Sequence, residues 1–228
     1  MNRCGKLLFG FVAAILAATT VLAGSNNPDF ASKTVRACQA TPALANLTDF
    51  LLEVGWTLSV PADLDDRAIR SYAATILSNQ FGFGEVPDPR ISSTWEQSLK
   101  NAGGARNLKK IEGSQQKDLW FVWEKTGSVL RVNSFKNDVY FQMNCVIAFK
   151  EEDSPITFQR LVEGSGPDPQ ELPPVYHLQP QISESHGVKR SLNGAILNIE
   201  RISAVSDSEI DVSSVYTTFL SVRAERSE

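Results

Sequence analysis

The chain has 228 residues, 42% of them hydrophobic, and a formal net charge of −4, enough for one domain with a real core or two small ones. Its longest uncharged apolar run is Leu7 to Leu22, near the N-terminus. No later segment approaches the roughly 20 apolar residues of a membrane span, which excludes further spanning helices.

Met1 to Ala23 reads as an export signal. Arg3 and Lys6 supply a short positive start, the apolar run follows, and Val21 and Ala23 stand where a signal peptidase selects small residues before Gly24. The competing reading is an uncleaved anchor helix, for which the run is slightly short and holds Gly10, Thr19 and Thr20 near its ends. Cleavage places the mature chain in the periplasm or outside the cell and removes Cys4. The two surviving cysteines, Cys38 and Cys145, are then expected to form one disulfide. Two buried free thiols are the alternative, since Cys also behaves as a small hydrophobe.

The part to about Asn101 reads as helices. Thr41 can cap a first helix with Pro42 in its first turn, carrying Leu44, Leu47, Leu51 and Val54 until Gly55. Asp63 can cap a second, with Ile69, Tyr72, Ala73, Ile76 and Leu77 on one stripe. Ser93 and Glu96 have capping-box spacing for a third, ended by Gly103 and Gly104.

From Leu119 the period becomes 2. Leu119 to Trp123 and Val129 to Val132 flank the turn Lys125 to Gly127. Next comes the clearest strand: Val139, Phe141, Met143, Cys145, Ile147 and Phe149 share one face, opposite Tyr140, Gln142 and Asn144. Residues 163–174 are rich in Gly, Pro and acid, a loop signal. Strand-like segments follow at Val175 to Ile182, Ala195 to Ile202 and Tyr216 to Ala224, with no helix among them.

Together these predict a single α+β domain over 24–228, its N-terminal helices (about 38–102) packed on one face of an antiparallel sheet (about 118–224) and braced by one disulfide. The alternative is two domains hinged at the Pro-rich stretch. Because Cys145 faces the helices, Tyr140, Gln142 and Asn144 fall on a mixed polar face that can take a ligand.

Catalytic and metal signals are weak. Ser183, Ser185, His186, Asp207, Glu209 and Asp211 make a triad only on paper, and no Gly-x-Ser-x-Gly elbow occurs. His177 and His186 lie on different expected elements and supply no zinc set. The acidic groups at Glu151 to Asp153 and at Asp207, Glu209 and Asp211 lack calcium-loop spacing. Neither catalytic nor metal residues are assigned, and no cofactor is expected.

Charge is unevenly distributed. Between Lys100 and Lys136, basic residues outnumber acidic ones eight to three. Arg106, Lys109, Lys110 and Lys117 are the expected contact surface for an anionic envelope component or a protein partner. The competing reading is lysines that guard strand edges, with Trp120 and Trp123 in the core. Nucleic acid does not fit an exported protein. Phe81, Gly82, Phe83 and Gly84 before Pro87 and Pro89 form a second candidate contact loop, and Asn46 to Thr48 is a sequon on an expected helix. The functional expectation is an exported, non-enzymatic binding or accessory protein. The alternative is an envelope or extracellular hydrolase using His186 or carboxylates that the fold assembles.

Overall fold

The computed structural model describes residues 28–40, 43–81, 88–108, 115–154, 156, 172–205 and 209–223. The expected signal peptide, Cys4, Thr41 with Pro42, the Gly82 to Pro87 loop, Lys109 and Lys110, most of 163–174 and Asp207 lie outside them.

The first described element is a helix absent from the sequence expectation, α1 (Pro28–Ala40). Phe30, Ala31, Thr34, Val35 and Cys38 form its buried stripe, a 3.6-residue period diluted by Ser32, Lys33 and Arg36. Cys38 therefore lies inside a helix, not ahead of the first one. In α2 (Leu44–Glu53) Leu47 and Leu51 are buried, and Gly55 follows at φ 102, a value that ends a helix and suits glycine. Cα–Cα 6.2 Å apart, Cys38 and Cys145 form the expected disulfide.

After β1 (Thr57–Ser59) comes α3 (Asp66–Gln80). Its cap is Asp65, whose carboxylate accepts from the Ala68 amide at 2.8 Å, while Asp63 ends a 3₁₀ turn. Burial alone would raise the Asp65 pKa, but the Ala68 amide and the Arg67 guanidinium outweigh it and hold the carboxyl below its usual value. The expected stripe is buried or half-buried, and small residues (Ala68, Ser71, Ala74, Thr75 and Ser78) are buried beside it. α4 (Asp88–Gly103) starts earlier than expected, so Ser93 is an exposed interior residue whose hydroxyl donates to the Arg90 carbonyl.

One eight-stranded antiparallel sheet follows: β2 (Gln116–Trp123), β3 (Ser128–Lys136), β4 (Tyr140–Lys150), β5 (Val175–His177), β6 (Gln181–Ser185), β7 (Val188–Leu197) and β8 (Val212–Arg223) join β1. The order is β1-β2-β3-β4-β8-β7-β5, with β6 also on β7. The strands beyond the Pro-rich stretch thus belong to the same sheet, and β8 returns to pair with β4. The segment expected to run as a strand to Ile202 stops at Leu197. There Asn198 caps a short helix, α5 (Ile199–Val205), by accepting from the Arg201 amide.

The helices divide between the two faces. α1 and α2 pack with Leu130, Cys145, Ile147 and Phe149, whereas α3, α4 and α5 pack with Trp120, Val129, Ala148 and Val215. Since Val129 and Leu130, or Ile147 and Ala148, are neighbours in a strand, these two cores lie on opposite sides of the sheet. The single-sided arrangement expected from the position of Cys145 therefore holds for α1 and α2, and the other helices form a third layer. Trp56, Trp95, Trp120, Phe121 and Phe149 are fully buried between the layers, each worth on the order of 1.5–3 kcal/mol in transfer free energy.

Candidate functional site

The third layer covers one end of its sheet face. Near the β2–β3 turn, the Ser71 hydroxyl of α3 donates to the Gly127 carbonyl at 2.7 Å. Further along the strands Arg131 marks the border. Its guanidinium forks onto Asp118 at 2.9 Å and 2.9 Å, donates to the Tyr72 hydroxyl at 2.7 Å, and lies 5.0 Å from the Trp120 ring centroid. Burial would lower its pKa, but Asp118 and Tyr72 raise it overall. Arg131 is thus a fixed, neutralised charge and not a free cation for a partner.

Beyond that border the register lays out two rows of side chains. One runs Asp118, Asn133, Asn144, Phe219, Ser191 and Ile182; the next runs Gln116, Phe135, Gln142, Ser221, Lys189 and Glu184. Tyr140 closes the surface, its ring 5.8 Å from that of Phe135. The expected residues Tyr140, Gln142 and Asn144 are all on this face, opposite Cys145, and each is half-buried. The Gln116 amide donates to the Asn133 carbonyl oxygen at 3.0 Å. The Asn144 Oδ1 is buried without a hydrogen-bond donor among the described residues, an uncommon condition for a buried polar atom. Asn133, Phe135, Phe219 and Ser191 were not singled out from the sequence. The alternation of β3 from Val129 to Phe135 places Asn133 and Phe135 on one face, and that signal was available.

Among the described residues, the basic side chains are spread over several surfaces, and Lys109 and Lys110 lie outside them. Arg106 is pinned under α3, donating to the Leu64 carbonyl at 2.9 Å and to Asp66 at 2.7 Å. Lys117 is exposed on the opposite sheet face, Lys125 stands at the β2–β3 turn over the Trp123 ring, and Lys136 is at the far end of β3. Trp120 and Trp123 point into the two separate cores.

His186 sits in the exposed β6–β7 turn at φ 49, bonded through Nδ1 to the Ser185 hydroxyl at 2.7 Å. Asp211 precedes β8 and pairs with the buried Lys150, while the turn holding His186 adjoins the other end of that strand. The length of β8, roughly 3.3 Å per residue, therefore separates His186 from Asp211, while Asp207 lies outside the described residues. His177 is on β5, and no group of three metal-ligating side chains occurs among the described residues. In the acidic turn, Asp153 is buried and accepts from the Thr126 and Ser128 hydroxyls, a staple between two turns. Phe81 packs against the α3–α4 core, and Asn46 is on the exposed side of α2. No protein-family model, curated protein or solved structure matches this chain.

Proposed function

We propose that this is an exported, non-enzymatic binding or accessory protein of the periplasm or cell exterior, and that the open part of its sheet face is the contact surface. The observation that carries the reading is the paired rows of amide, hydroxyl and aromatic side chains around Asn144, whose buried Oδ1 has no donor among the described residues. A partner that brings a hydroxyl or N–H to that atom gains a hydrogen bond and relieves a desolvation cost of about 1–3 kcal/mol. Amides that both donate and accept, beside the rings of Phe135, Tyr140 and Phe219, suit a neutral polar partner such as an envelope glycan. The Cys38–Cys145 bond supports the location, because such bonds persist in oxidising compartments. No helix among the described residues is long and apolar enough to cross a membrane.

The test is a side-chain amide NMR titration with soluble cell-wall oligosaccharides. Saturable shifts at Asn133, Gln142 and Asn144, lost in Asn144→Leu, are expected. Shifts that fall elsewhere, or that survive Asn144→Leu, would remove this face as the contact surface. Mass spectrometry of the native product is expected to find an N-terminus beyond Ala23, and a retained Met1 would overturn the location.

A further inference from the structure

A second site lies on the other side of the sheet, where the last turn of α1 faces the β6–β7 hairpin. A cavity of about 390 Å³ opens there, lined by Arg36 and Gln39 of α1, Gln181 and Ser183 of β6, and Arg190 of β7. Arg190 is the cross-strand partner of Ser183, so both side chains project from the same face of the hairpin.

Both guanidiniums lack a carboxylate among the described residues. Each spends its Nε on a backbone carbonyl: Arg36 donates to Ser32 at 3.3 Å and Arg190 to Gln39 at 3.0 Å. These bonds orient the two planar groups and leave the terminal nitrogens, which form the fork that matches an oxyanion. Two like charges on one cavity in a chain of net charge −4 repel each other until an anion is placed between them. Gln39, Gln181 and Ser183 add neutral donors to the same wall.

The backbone is set in advance. Cys38, between Arg36 and Gln39, is bonded to Cys145 of β4, and Cys145 is linked through the register to Thr218 of β8 and Leu192 of β7. The disulfide therefore fixes the last turn of α1 relative to the strand that carries Arg190. Such preorganisation lowers the ordering cost of binding.

We propose that this cavity binds a small ligand through an oxyanion held between Arg36 and Arg190. Of the residues in the two rows around Asn144 only Ile182 also lines the cavity, and neither arginine belongs to those rows, so either site can fail without the other. The volume suits a phosphate monoester or a compact polycarboxylate better than a polymer.

The test is calorimetric titration of the full-length mature protein with inorganic phosphate, glycerol phosphate and citrate, at an ionic strength held constant with chloride. Saturable binding of at least one probe is expected. It should weaken at least tenfold in Arg36→Gln, an exposed position whose melting temperature should not change, and persist in the neighbouring Lys189→Gln. Arg190→Lys, which keeps the charge but loses the fork, should weaken it as well. Preference among the three probes identifies the oxyanion as phosphate or carboxylate. No saturable binding by any probe, or binding unchanged in both Arg36→Gln and Arg190→Lys, would overturn the proposal.

Discussion

Breaking the Cys38–Cys145 bond should cost this protein a large part of its stability. The bond spans 107 residues, for which the chain-entropy relation gives about 5 kcal/mol at 25 °C. Domains are typically stable by only about 5–15 kcal/mol. At about 2–4 °C per kcal/mol for a chain of this size, the melting temperature should fall by roughly 10–20 °C. Both cysteines are fully buried, so the reduction must be made in the unfolded state before refolding. In the reduced protein α1 keeps its packing through Phe30, Ala31 and Val35 and the Arg190 bond to Gln39. The loss therefore arises in the unfolded chain, which gains freedom once the link is gone. Urea denaturation followed by tryptophan fluorescence separates the two causes: the midpoint should fall while the slope rises, because an unlinked unfolded chain exposes more surface. Superimposable curves for oxidised and reduced protein would refute the reasoning. A lower midpoint with altered amide spectra of folded α1 would instead assign the loss to native packing. Cys38→Ser should cost more than reduction, since it also buries a hydroxyl.

Three further outcomes test the local arguments. Gly127 has φ 87 and an added Cβ would stand 2.8 Å from the Arg67 Cβ, so Gly127→Ala should destabilise by more than about 1–2 kcal/mol. Gly104→Ala, which meets nothing within 4 Å, should change stability by no more than about 0.5–1 kcal/mol; equal urea midpoints for the two variants would refute the contrast. Asp153→Ala strands the Thr126 and Ser128 hydroxyls and should cost about 2–4 kcal/mol in the same assay; a loss below about 0.5 kcal/mol would discount the staple. Asp65 has a depressed pKa in the folded protein. Its contribution is therefore present above the unfolded value, near about 4, and is lost as pH falls through the folded value. Asp65→Asn keeps a cap but should lose that acid-side component, and identical acid titrations of stability for variant and parent would count against it.

Local chemistry determined much of this protein. Strand β4 is legible because Phe141, Met143, Cys145, Ile147 and Phe149 recur at period 2. Gly55 and Gly103 end their helices as expected, and the pairing of Cys38 with Cys145 is the one that an expected export signal carrying off Cys4 leaves. Such features depend on spacing within one element, so the sequence carries them directly. Other features needed the fold. Asp63 and Asp65 are equally good caps by composition, and the choice went to Asp65 because its carboxylate meets the Ala68 amide. Asn198 ends a run of strand-like residues because its amide donates to the distant Pro174 carbonyl while its side chain caps the next turn at the Arg201 amide.

The division of helices between both faces was written only faintly, in the continuous apolar runs Leu119 to Trp123 and Val146 to Phe149, which mark strand segments buried on two sides. Which helix covers which face depends on long-range packing. So does the meeting of Arg36 with Arg190, 154 positions apart in the numbering. Periodicity can assign a residue to a face of its own element. Only the three-dimensional register of β8 between β4 and β7 decides which distant residues become its neighbours, because that choice is made by the fit of whole surfaces and not by any one segment.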